Sequence, residues 1–114
     1  MASQNDYVDF LKETFSELGE ITSRAMFGGN TLYCNGVVFG LVAGNTLYLK
    51  ADDTNRPAFE TLGLEAFRPF ADRPETMRYY RAPAELFDTE DGVRKWAGGA
   101  VEAGRRAGAK KKRR

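Results

Sequence analysis

The chain has 114 residues, of which 42% are hydrophobic, and its 17 basic and 16 acidic side chains give a formal net charge of +1. This length suits one domain with one core, and the hydrophobic content excludes disorder for most of the chain. There is no histidine and only one cysteine, Cys34, which excludes a histidine base, a disulfide framework and a structural zinc site. We therefore expect a non-enzymatic protein without metal or cofactor, located in the reducing cytoplasm.

The basic residues are distributed unevenly. Segment 105–114 contains seven of them and no acidic residue, so it carries +7, whereas residues 1–104, with ten basic and 16 acidic side chains, carry −6. Because the segment has almost nothing to bury, we predict one domain over 1–104 and a disordered basic tail over 105–114. The longest apolar run, 37–43, is far shorter than the roughly 18 residues of a membrane-spanning helix, so we expect no membrane association.

The first predicted element is a helix over 4–18. Apolar residues recur there with helical spacing and form one buried stripe. The stripe consists of Tyr7, Phe10, Leu11, Phe15 and Leu18. The opposite face is acidic and is interpreted as a solvated surface.

Three antiparallel strands follow as a meander. The pairs Asn35-Gly36 and Gly44-Asn45 predict two-residue turns, which place Cys34 opposite Val37 and Ala43 opposite Thr46. Strict alternation then gives the sheet two apolar faces. One face contains Tyr33, Val38, Val42, Leu47 and Leu49. The other contains Cys34 and five candidate interface residues: Leu32, Val37, Phe39, Leu41 and Tyr48. Because helices on one side cover only one face, the second face predicts a symmetric homodimer.

The remaining elements complete an α+β pattern. A short helix near 55–62, strands around 65–70 and 76–81, and a final helix capped by Asp88 are expected, with Trp96 on the buried stripe of that helix. When 24–34 is counted as one bent strand, the order is α-β(3)-α-β(2)-α. This order predicts a two-layer α+β fold in which helices cover one side of a largely antiparallel five-stranded sheet.

Four features suggest chemistry, and each has a plainer structural interpretation. Segment 24–29 resembles an anion-binding loop, but a strand follows it, which favours a Gly-Gly bend. The oxygen-rich segment 52–55 suits a cation but favours helix capping. Segment 77–81 interleaves basic and aromatic residues, which can stack single-stranded bases but more often belong to a sheet. Cys34 has no basic neighbour in sequence and is interpreted as an inert thiol.

Several short motifs occur together in a specific order and spacing. They are Arg24-x-Met26-Phe27-Gly28-Gly29, Leu32-Tyr33, Gly36-Val37-x-Phe39, Leu47-Tyr48-Leu49-Lys50, Asn55-Arg56, Phe59 and Met77-x-Tyr79-Tyr80. Through them the chain, from about residue 10 to 105, resembles the N-terminal domain of the TfoX competence regulators. The resemblance implies a two-layer α+β fold similar to that of secretion chaperones and a role in regulating competence for DNA transformation. It offers no catalytic residues.

Two functional hypotheses follow. The first is a regulatory or protein-interaction module that forms a homodimer and binds a protein partner of unknown identity. The alternative is a protein that binds DNA weakly and without sequence specificity through its basic tail. Its candidate nucleic-acid contacts are Arg78, Arg81, Lys110, Lys111, Lys112, Arg113 and Arg114.

Overall fold

The computed structural model describes residues 4–26, 29–67 and 78–112. Its sheet has five strands in the order β1-β2-β3-β4-β5, and every neighbouring pair is antiparallel. The strands are β1 (Ile21–Met26), β2 (Gly29–Cys34), β3 (Val37–Ala43), β4 (Thr46–Lys50) and β5 (Tyr79–Arg81). This mixed architecture confirms the predicted α+β class with a five-stranded antiparallel sheet.

The helices flank this sheet in the sequence. They are α1 (Gln4–Thr14), α2 (Arg56–Thr61), α3 (Glu90–Gly92) and α4 (Gly98–Lys112). A π-helical turn over Val93–Ala97 joins α3 to α4, and 3-10 turns occupy Ser16–Leu18 and Ala84–Phe87. No helix within the described ranges is long and apolar enough to cross a membrane.

The two turns of the meander have the predicted geometry. Asn35 and Gly36 have φ values of 51° and 82°, and Gly44 and Asn45 have values of 57° and 58°. Positive φ at both central residues matches the right-handed twist of the flanking strands, which explains the Asn-Gly preference. The register pairs Cys34 with Val37 and Ala43 with Thr46, as predicted.

One strand prediction was wrong, and another lies only partly within the described residues. The predicted bent strand over 24–34 is two antiparallel strands, in which Met26 pairs with Gly29. Residues 27–28, where the chain reverses, lie outside the described ranges. In the described part of the predicted strand 65–70, an isolated bridge joins Ala66 to Tyr80. The rest of that predicted strand, 68–70, lies outside the described residues.

A β-bulge in β3 decides which side chains enter the core. Leu32 pairs with Gly40 and Tyr33 pairs with Val38, so Phe39 is one extra residue. Such an extra residue reverses the alternation of inward and outward side chains beyond it. The inward side chains of the sheet are therefore Leu32, Cys34, Phe39, Val42, Leu47 and Leu49, all at most 2% exposed.

The helices pack on that inward side of the sheet. In α1, Val8 and Leu11 are buried, and so is Phe15 immediately after the helix, whose ring meets Phe39 edge-on at 5.7 Å. Predicted stripe residue Phe10 is instead 50% exposed. Trp96 is 3% exposed, as predicted, and it packs against Phe59 of α2 at 5.1 Å.

Helix α4 approaches β3 closely at Gly104. A Cβ atom at this position would overlap the carbonyl oxygen of Val38 and would lie 2.7 Å from Cγ1 of Val37. Glycine therefore lets the helix backbone pack directly on the strand. By contrast, nothing lies within 4 Å of a Cβ atom at Gly98.

The predicted tail is helical over much of its length, because α4 continues to Lys112. Arg106 forms a bidentate ion pair with Asp52, with Nε–Oδ2 and Nη2–Oδ1 distances of 2.6 and 3.0 Å. Arg105 pairs with Glu102 one turn earlier. Cations near the end of a helix also interact favourably with its dipole. These pairings favour the helical conformation of the described part of the segment, residues 105–112.

We predict opposite effects for two alanine substitutions in α4. Gly104→Ala lowers the free energy of unfolding by about 1–3 kcal/mol, since its methyl group forces the helix away from β3. Gly98→Ala raises it by about 1 kcal/mol, because alanine is the better helix former and the site has room. Urea unfolding of both variants measures the change in the free energy of unfolding. Equal stability of Gly104→Ala and wild type would contradict the close contact between α4 and β3 at Gly104.

A second prediction concerns pH. The hydrogen bond from Arg106 lowers the pKa of Asp52 to about 2. A pKa lowered by folding means that the ion pair stabilises the protein at neutral pH, and that this contribution disappears as the pH falls from about 4 to about 2. Asp52→Asn therefore costs about 1 kcal/mol at pH 7, a value appropriate to a partly exposed pair.

Urea unfolding of wild type and Asp52→Asn at about pH 7, 4 and 3 measures this, and the difference in stability should shrink as the pH falls. Asp53→Asn is the matched control, because Asp53 pairs with Arg56 while its own side chain is 79% exposed. A difference that does not change with pH would contradict the assignment to Asp52.

Candidate binding face of the sheet

The described helices pack on one face of the sheet, and we call the opposite face the open face. Register and alternation place on it the side chains that point away from the core. These side chains are Arg24, Thr31, Tyr33, Val38, Leu41, Tyr48, Lys50, Tyr79 and Arg81. They are drawn from all five strands, so a rigid scaffold positions them.

One row of the open face crosses the whole sheet. Successive pairings join Arg24, Thr31, Leu41, Tyr48 and Arg81. With neighbouring strands about 4.8 Å apart, the Cα atoms at the two ends are about 19 Å apart. An arginine therefore stands at each end of a row whose centre is apolar and aromatic.

Aromatic rings cluster beside this row. The rings of Tyr48 and Phe67 are 4.8 Å apart, and Nζ of Lys50 lies 5.1 Å above the ring of Tyr79. Tyr79 is 8% exposed, and burial, together with the nearby Tyr33, raises the pKa of its hydroxyl. Tyr33, Tyr48 and Phe67 are half-buried, so part of each ring is accessible to a ligand.

Cations outnumber carboxylates on the described part of the open face, where Glu65 lies beside Arg81. The five strands contain no Asp or Glu, whereas Arg24, Lys50 and Arg81 lie on this face. Arg78, which immediately precedes β5, is also exposed. Among the described residues, no ion pair involves Arg24, Arg78 or Arg81.

Basic residues on the helical side behave differently, because carboxylates surround them. Arg56 pairs with Asp53 and Glu60, and Arg94 pairs with Asp91 and Glu17. Among the described residues, the ion-paired carboxylates lie in helices and loops, whereas Arg24 and Arg81 on the open face form no ion pair.

The structure divides the predicted interface between two sides of the sheet. Leu32 and Phe39 are fully buried in the core, and Val37 lies beneath α4 near Gly104. Of the five predicted residues, Leu41 and Tyr48 lie on the open face. The assignment of Leu32 and Phe39 to an exposed face was wrong, because the bulge at Phe39 breaks the alternation on which it depended.

The predicted nucleic-acid contacts fall into two groups. Arg78 and Arg81 are exposed, and Arg81 ends the central row of the open face. Lys110, Lys111 and Lys112 lie in the last turn of α4, and Arg113 and Arg114 lie outside the described residues. Sequence reasoning missed the juxtaposition of Arg24 with Tyr48 and Arg81, because it depends on pairing across five strands.

The other candidate sites have structural roles. Asp52 accepts hydrogen bonds from the backbone N–H groups of Thr54 and Asn55 in the turn before α2. The helix itself has no side-chain capping hydrogen bond at Asn55, so segment 52–55 stabilises a turn and does not cap α2 as predicted. The described residues contain no group of three or more His, Cys, Asp or Glu placed to hold a metal. The Cys34 thiol is fully buried, it donates to the carbonyl of Leu18 at 3.3 Å, and burial raises its pKa.

A cleft of about 530 Å³ lies where the second half of α4 passes the end of the sheet. Val38 and Lys50 from the strands, and Gly104, Arg105 and Gly108 from the helix, contribute to its walls. Because Val38 and Lys50 also belong to the open face, the cleft joins that face to the basic end of α4.

The geometry can be compared with known proteins. A comparison with curated proteins finds no match. The family model described as the TfoX N-terminal domain matches residues 13–104, which include α2, all five strands and much of the C-terminal helix. The resemblance first indicated by the short motifs is thereby confirmed, and the chain belongs to the TfoX N-terminal domain family.

Proposed function

We propose that this domain is a non-catalytic regulatory module of the competence-regulator type, and that it acts by binding a macromolecular partner on its open face. The observation that carries the proposal is the row from Arg24 to Arg81, in which Leu41 and Tyr48 remain accessible on a face that no described helix covers. Aromatic and apolar groups rimmed by cations are typical of binding surfaces rather than of solvated sheets.

The titratable groups support a non-catalytic role. A general acid or base works best with a pKa near the ambient pH. Folding moves the pKa of Asp52 down to about 2 and raises those of Cys34 and Tyr79 above their usual values. Each shift therefore takes the group further from neutrality, and the Cys34 thiol is also inaccessible.

We predict that a charge in the middle of the open face releases the partner. Leu41→Asp places a carboxylate between Thr31 and Tyr48, so an apolar or anionic ligand is repelled or loses contact. Affinity capture from lysate of the native host, with and without nuclease, is the measurement. Leu62→Asp is the matched control, because Leu62 is 48% exposed and lies at the end of α2, on the helical side.

Both variants must give the circular dichroism spectrum of the folded wild type. Loss of a retained partner from Leu41→Asp but not from Leu62→Asp supports the open face as the binding surface. Equal loss from both variants would place the partner elsewhere. The nuclease arm shows whether the partner is a protein or a nucleic acid.

Self-association stays a prediction, now limited to Leu41 and Tyr48 among the predicted interface residues. Face-to-face pairing about a two-fold axis would also bring the cations of two copies together, which weakens such a dimer at low salt. Sedimentation velocity at increasing concentration and at two salt concentrations tests it. A dimer that strengthens with salt and is lost in Leu41→Asp is the expected result, and a monomer at high concentration would contradict it.

The alternative function is non-specific DNA binding by the basic segment 105–114. Arg106 is occupied by Asp52, and Arg105 pairs with Glu102, so five cations, Lys110 to Arg114, remain for phosphate contacts in this alternative. Such binding would be weak, salt-sensitive and independent of sequence.

A further inference from the structure

We propose that the open face binds single-stranded nucleic acid, whose bases stack on the exposed rings and whose phosphates are held by the arginines at both ends of the central row. The inference rests on the proposed function, since it uses the same face, but it names the chemistry of the partner. It is also distinct from binding by the basic tail, because it places the site on the sheet.

The charges on the open face favour a polyanion. Arg24 and Arg81, which form no ion pair among the described residues, project from strands that contain no carboxylate. The spacing of about 19 Å between the two arginine Cα atoms suits an extended chain with several anionic groups better than a single small anion.

The rings between these cations favour bases over a purely acidic peptide. Tyr33, Tyr48 and Phe67 are half-buried, so their edges are held by neighbours while part of their surface stays accessible. The Tyr48 and Phe67 rings, 4.8 Å apart, form a fixed pair. Unstacked bases pack on such platforms without sequence preference, and guanidinium groups next to the rings add to the attraction.

The shape of the site favours a single strand over a duplex. In a duplex the bases are stacked inside, and a sheet face meets mainly phosphates, so the aromatic rings would remain unused. A single strand exposes both phosphates and base faces. A bound single strand can continue from the row past Lys50 into the cleft, which Arg105 also lines.

Fluorescence anisotropy of the full chain with a labelled oligothymidine of about 12 nucleotides, within the site sizes known for such modules, is the test. A mixed-sequence duplex of equal length is the comparison probe. Titrations run between about 50 and 200 mM salt, the range over which phosphate contacts are most visible. We expect the single strand to bind more tightly than the duplex at every salt concentration.

Four variants, one of them a control, locate the site. Tyr48→Leu removes a ring and weakens binding by about tenfold, whereas Tyr48→Phe keeps the ring and binds nearly as wild type. The double variant Arg24→Gln and Arg81→Gln weakens binding and makes the salt slope shallower by about 1.4, the value for two lost contacts to a single strand. The matched control is Arg56→Gln with Arg94→Gln, which removes the same charge from the helical side and should change binding much less.

A further variant separates this site from the tail. Changing Lys110–Arg114 to glutamine should weaken binding to the single strand by lowering the local charge, but should leave the effect of Tyr48→Leu intact. Complete loss of binding in this variant would overturn the proposal, as would preference for the duplex or equal effects of the two arginine pairs. No binding up to about 100 µM protein at the lowest salt would also overturn it. Capture of a protein partner that depends on Leu41 would then still support the proposed function.

Discussion

One extra residue in β3 determines the two sides of this domain. Because Phe39 is bulged opposite Leu32 and Tyr33, both Phe39 and Val42 point into the core although they are three positions apart. The residues between them are Gly40, which pairs with Leu32, and Leu41, which points outward. Without the bulge, strict alternation would turn Leu41 inward with Phe39 and carry Val42 to the outward side, so the side chains that enter the core would change.

The second constraint is electrostatic. The strands carry no carboxylates, while the helices and loops carry the acidic residues and pair them with Arg56, Arg94, Arg105 and Arg106. The near-neutral net charge therefore hides an uneven distribution of charge among the described residues.

Local sequence signals predicted much of the fold, because turns and helices depend on neighbouring residues. The Asn-Gly turn fixed the pairing of Cys34 with Val37, and the apolar spacing placed Trp96 in the core. The two faces of the sheet were assigned wrongly because a bulge has no distinctive residue pattern apart from Gly40. The row from Arg24 to Arg81 was beyond sequence reasoning, since it combines residues up to 57 positions apart through four successive pairings.

The C-terminal helix links these features. Its approach at Gly104 brings the α4 backbone against β3, and the Asp52–Arg106 pair fixes the following turn to the loop after β4. These two points of attachment lie only two residues apart on α4. An ion pair that costs about 1 kcal/mol to break is a weak contribution to stability, but it is sufficient to favour one orientation of this part of the helix about fivefold. Arg105 and Arg106 therefore belong to the folded helix rather than to an independent tail.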